Sequence, residues 1–138
     1  MAMRVGIDLV SIASVRESIR EHGARYLERV YTPDELRDCH TDQGVVAERL
    51  AARFAAKEAT IKVLRPADEA IPWSSIGVMH HSSGSVSVEL SGRAAELAAE
   101  TGLSDFALSI SHEAEYASAV VIAEQDLRNR SGDPMRTT

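Results

Sequence analysis

The sequence predicts an α+β domain in which a small antiparallel sheet packs against one long central helix. Three observations lead there. Segments near both ends of the chain alternate or mass apolar residues as strands do, around Arg4–Ser11, Phe106–His112 and Tyr116–Ala123. A stretch from about Val45 to Leu64 keeps helical periodicity until Pro66 forbids continuation. Between them, Ile76–His80 and Val86–Leu90 flank Ser82-Ser83-Gly84-Ser85 in a hairpin pattern. With 138 residues and 44% hydrophobic content, one domain with its own core is expected, over residues 1–124.

Taken in order, Arg4–Ser11 sets Val5, Ile7 and Leu9 on one face of a strand and Gly6, Asp8 and Val10 on the other, and both faces read as buried. Asp8 stands out among them, as a backbone-bonded residue near a strand end or as a ligand. Ser14–His22, closed by Gly23, and Ala24–Tyr31 read as short helices. Their Arg16/Arg20 and Arg25/Arg29 pairs share faces that are either solvated or available to an acidic partner. Thr32-Pro33-Asp34-Glu35 is a capping box with proline at the first helical position, and Thr41–Gly44 ends the helix that starts there. A helix over Arg93–Thr101 is closed by Gly102, and the next strand places His112 on the side of Phe106, Leu108 and Ile110. The polar, breaker-rich stretch 125–138 reads as a disordered tail.

Composition excludes several classes. A single cysteine, Cys39, permits no internal disulfide and suits a reducing compartment. No apolar run approaches the roughly 20 residues of a membrane span and the N-terminus lacks a leader pattern, so a cytoplasmic protein without membrane contact is expected. The net charge of −6 and the six aromatic residues (three Tyr, two Phe, one Trp) argue against nucleic acid as a partner.

The long helix carries the unusual feature. Leu50, Phe54, Ile61 and Leu64 fall on one face at 100° per residue, Lys57 projects into it, and Glu58 and Lys62 lie along its edge. Buried charges need partners, so this pattern suggests a site, although a snorkelling lysine on a solvated edge would also fit.

Gly6-Ile7-Asp8, then Arg53-Phe54-Ala55-Ala56-Lys57-Glu58-Ala59 with Lys62, and Ser109-Ile110-Ser111-His112 together resemble the holo-acyl-carrier-protein synthases, the small trimeric phosphopantetheinyl transferases. The resemblance implies the phosphopantetheinyl transferase-like fold and a homotrimer with active sites between subunits. It also implies transfer of the phosphopantetheine arm from coenzyme A, the co-substrate, to a serine of an apo acyl carrier protein. On it, Asp8 and Glu58 are the metal ligands for Mg²⁺, or Mn²⁺ in its place, and Asp8, Glu58 and Lys62 form the catalytic set. Arg53, Lys57, Lys62 and His112 would bind the phosphates and nucleotide of coenzyme A, with His112 alternatively a satisfied histidine at the core's edge. Two carboxylates suit a hard cation that takes its other ligands from water and pyrophosphate. A non-catalytic carrier-protein or nucleotide-binding module is the rival, disfavoured by retention of Asp8, Glu58 and Lys62 together. The chain departs from the family in having Arg65-Pro66-Ala67-Asp68 where Gly-Thr-Gly is usual and Gly84-Ser85-Val86 where Gly-Lys-Pro is usual. Ser11 and Ser14 stand where acidic and basic residues are common, which leaves a fatty-acid or a specialised polyketide carrier as partner.

Overall fold

The computed structural model describes residues 1–129. Strand β1 (Ala2–Ser11) leads into helices α1 (Ile12–His22), α2 (Ala24–Val30) and α3 (Pro33–Asp38). A two-residue ribbon, β2 (His40–Thr41) and β3 (Gly44–Val45), precedes the central helix α4 (Ala47–Leu64). After a 3₁₀ turn at Trp73–Ser75 come the hairpin β4 (Ile76–His80) and β5 (Val86–Leu90), helix α5 (Gly92–Glu100), and strands β6 (Leu103–His112) and β7 (Tyr116–Gln125). The three long strands form an antiparallel sheet in the order β1-β7-β6.

Local chemistry explains most boundaries. Ser11 caps α1 by accepting from the Ser14 amide, and Gly23 ends it with φ +53°. At α3, Thr32 Oγ1 accepts from the Glu35 amide at 3.1 Å while the Glu35 carboxylate accepts from the Thr32 amide at 2.8 Å. Strand β7 runs to Gln125, whose buried side chain donates to Thr101 O, and a 3₁₀ turn follows at Leu127–Asn129. The stretch read as a tail therefore begins with defined structure; its remainder, 130–138, lies outside the described residues.

Helix α4 lies across β1 and β7 and contacts them mainly through small residues. Ala51, Ala55, Ala56 and Ala59 are fully buried, as are Ala117 and Ala123 of β7. Leu50 and Leu64 are buried as the apolar stripe predicted, but Phe54 and Ile61 are only half-buried. Alanine does not stand out in a hydrophobic pattern, yet here it lets the helix press on the sheet. Contact is tightest at Gly6, where a Cβ would lie 2.1 Å from the Ala59 carbonyl oxygen.

The opposite face of the sheet is uncovered in the single chain. Met3, Val5, Ile7 and Leu9 are 61–66% exposed, beside Val120 and Ile122, which pair with Ile7 and Val5. Within the single chain, among the described residues, only the face of β1 toward α4 is buried, so the burial expected for its other face would have to come from outside the chain. One strand cannot reveal that, among the described residues, no second layer covers its other side.

Candidate active site

Close approach of β1 to α4 assembles the first cluster. With no side chain at Gly6, the strand reaches the last turns of the helix, and Lys62 Nζ donates to Ile7 O at 2.8 Å and to Asp8 Oδ1 at 3.1 Å. The Asp8 side chain is 13% exposed and that of Lys62 is 53% exposed, so the pair sits at the boundary with solvent. Glu58, one turn earlier, is half-buried. Burial chiefly, then the negative charge of Asp8, pushes its carboxyl above the ordinary value, with Lys62 opposing them. Two carboxylates that feel each other beside one ammonium are strained as like charges and would be relieved by a hard divalent cation. Asp8 and Glu58 are the two carboxylates that could share one, and among the described residues no group of three or more acidic, histidine or cysteine side chains is placed to hold a metal.

Arg53 and His112 come together elsewhere. They line a hollow of about 460 Å³ whose other walls include Arg49, His80 and the turn Gly84–Val86, and which includes none of Asp8, Glu58 or Lys62. Arg53 is 3% exposed; its Nη1 donates to Arg49 O at 3.1 Å, while its Nε is buried with no acceptor. A guanidinium on the wall of a hollow suits an anion.

Lys57 is corrected. It is fully buried, in an ion pair of 2.8 Å with Glu35, and it also donates to Ile76 O at 2.5 Å and Trp73 O at 3.1 Å. All three ammonium protons are committed inside the protein, so the phosphate-binding role expected of it is not available here. Burial lowers the Lys57 ammonium from its ordinary value, and the charge of Glu35 opposes that shift. Glu35 went unrecognised beyond its capping role. Its second oxygen accepts the Val78 amide at 2.7 Å, so one carboxylate joins α3, α4 and β4. Only the missing partner for a lysine in an apolar stripe could have hinted at it. Gly6 was read as part of a strand face, and its packing role had no local signal.

The model for the 4'-phosphopantetheinyl transferase superfamily matches residues 4–121. The chain belongs to that superfamily. Similar members include a holo-[acyl-carrier-protein] synthase of Desulforudis audaxviator, 39% identical over 89% of this chain and 93% of its own length. Another, from Chloroflexus aurantiacus, is 40% identical over 86% of this chain and 95% of its own. Among solved structures, the Chronobacterium ammoniagenes ACPS–CoA complex superposes with a TM-score of 0.80 at 34% identity, covering 91% of this chain and 99% of that one. Holo-[acyl-carrier-protein] synthase of Helicobacter pylori in complex with coenzyme A gives 0.75 at 27% identity, covering 88% and 100%. This superfamily member also keeps left-handed backbone after α4 without glycine: Arg65 has φ 51° and Ala67 φ 57°, around Pro66. The stretch standing in for Gly-Thr-Gly thus holds a conformation that glycine adopts freely and arginine and alanine do not.

Proposed function

We propose that the protein transfers the phosphopantetheine arm of coenzyme A to a serine of an apo acyl carrier protein and releases adenosine 3′,5′-bisphosphate. The observation that carries this reading is the Asp8–Lys62–Glu58 cluster at the junction of β1 and α4, in a chain of this superfamily. The names of its relatives and the coenzyme A complexes of its structural neighbours support it.

In the reaction the serine Oγ attacks the phosphorus that carries pantetheine, the bond to the bridging pyrophosphate oxygen breaks, and the bisphosphate nucleotide leaves. Glu58 helps take the serine proton, directly or through a water. Lys62, more than half exposed, offsets the charge that develops on the leaving oxygens. Asp8 orients Lys62 through the hydrogen bond at 3.1 Å. Asp8 and Glu58 together would hold Mg²⁺, which Mn²⁺ could replace; when bound it supplies positive charge to the pyrophosphate. Arg53 and His112 bind the nucleotide. Because their hollow excludes the Asp8 cluster, a complete site takes the cluster of one subunit and the hollow of another. The uncovered apolar face of β1 and β7 favours that self-association, as a homotrimer. On this reading the reaction belongs in the cytoplasm; among the described residues no helix is long and apolar enough to cross a membrane.

The test is mass spectrometry of fatty-acid and polyketide carrier proteins incubated with the enzyme, coenzyme A and Mg²⁺. Gain of one phosphopantetheine on the serine is expected. Intact carriers of both kinds would overturn the proposal, and cleavage of coenzyme A without any carrier would point to a hydrolase.

A further inference from the structure

The hollow beside Arg53 holds more positive charge than the two family-matched residues bring. Arg49, Arg53, His80 and His112 surround a space of about 430 Å³, with Asp38 the one acid on its wall. Arg49 and Arg53 stand four apart on α4 and so share a face. His80 ends β4 and His112 ends β6, which brings two imidazoles to the space from separate elements. Arg53 itself is nearly buried, and its Nε has no acceptor among the protein's own groups.

We propose that His80 is a further binding residue of this hollow, and that a phosphate group entering it draws a proton onto the His80 imidazole. The proposal rests on the reading that the hollow takes the nucleotide of coenzyme A. His80 is exposed to solvent at the strand end, so it is free to meet a ligand. The charged and titratable groups around it are Arg49 and Arg53 from α4, Asp38 from α3, His112 from β6 and His81 next in the chain. Partial burial, then the charge of Arg53, hold its imidazole below the ordinary value of 6.5, with Asp38 opposing and Arg49 and His81 adding to Arg53. Without ligand the ring is therefore neutral at neutral pH. A phosphate monoester, doubly charged above its second ionisation near pH 6, reverses the local field that depresses the ring. The protonated ring then donates a charge-assisted hydrogen bond to the phosphate. Affinity consequently weakens as pH rises past neutrality, since the proton becomes harder to recruit.

Calorimetric titration of the full chain with adenosine 3′,5′-bisphosphate, slightly above neutral pH in two buffers of different ionisation enthalpy, reads the proton directly. There the ligand is already almost wholly dianionic, so its own proton release is small. The parent is expected to bind with net proton uptake. His80→Gln and His80→Asn should bind roughly tenfold more weakly, the worth of one charge-assisted hydrogen bond, and without that uptake. Equal affinity and equal uptake in parent and variants would overturn the proposal, as would weaker binding with uptake unchanged, which assigns the proton to another group such as His112. Failure of the parent to bind the nucleotide at all would overturn the nucleotide reading of the hollow as well.

Discussion

Glu58 separates chemistry from stability within one side chain. Its carboxyl titrates above 4.5 in the folded protein because burial and Asp8 disfavour the charged form. A raised carboxyl favours the fold below its unfolded value, and that contribution is lost as pH rises through the folded value. At neutral pH, without divalent cation, the ionised group therefore weighs against folding. Glu58→Gln, which removes the charge and keeps the volume, should melt no lower than the parent at neutral pH in chelator, and higher if relaxation is complete. The same variant should lose most phosphopantetheinyl transfer. Paired thermal melts and carrier mass spectra check both halves; a markedly lower melting temperature would make Glu58 a structural residue. Asp8 stands out in the sequence because its charge falls in an apolar strand, whereas Glu58 and Lys62 lie along the edge of a helix stripe and are singled out by the family resemblance. Glu35 was not legible, since nothing local to a capping box tells whether its glutamate faces water or a lysine from a helix farther along the chain.

Elements meet here through two devices, a polar bolt and a steric notch. The Glu35–Lys57 pair bolts α3 and α4 to β4. Removing one partner of a buried pair leaves an uncompensated charge, so Lys57→Met should destabilise by about 3–5 kcal/mol. Glu35→Gln/Lys57→Met should recover part of that loss, because the amide remains neutral and can still accept a backbone hydrogen bond. Denaturant unfolding of the three proteins measures the difference. The notch is Gly6. A Cβ there meets backbone at Ala59, which cannot swing aside as a side chain would. Gly6→Ala is expected to push β1 from α4, weaken the Lys62–Asp8 contact and lower transfer activity together with melting temperature. The strands, hairpin and capped helices were readable because each is set by local periodicity or turn chemistry. Which faces of α4 and β1 are covered was not readable, because coverage depends on distant segments and on small residues that carry little hydrophobic signal.

At the scale of the molecule, the Arg53–His112 hollow is lined by none of Asp8, Glu58 and Lys62. If sites form between subunits, mixing inactive Glu58→Gln with inactive His112→Ala should restore part of the activity once subunits exchange, since some sites then draw intact residues from both. No recovery after demonstrated exchange would place all of these residues in one chain's site. The uncovered ribbon of Met3, Val5, Ile7 and Leu9 has a further consequence for handling the protein. If other copies of the chain cover the ribbon, as the proposed homotrimer requires, folding and assembly are linked by mass action and dilution alone acts as a denaturant. Melting temperature should climb with protein concentration, and a Val5→Asp/Ile7→Asp chain should lose that dependence while retaining its helical circular dichroism.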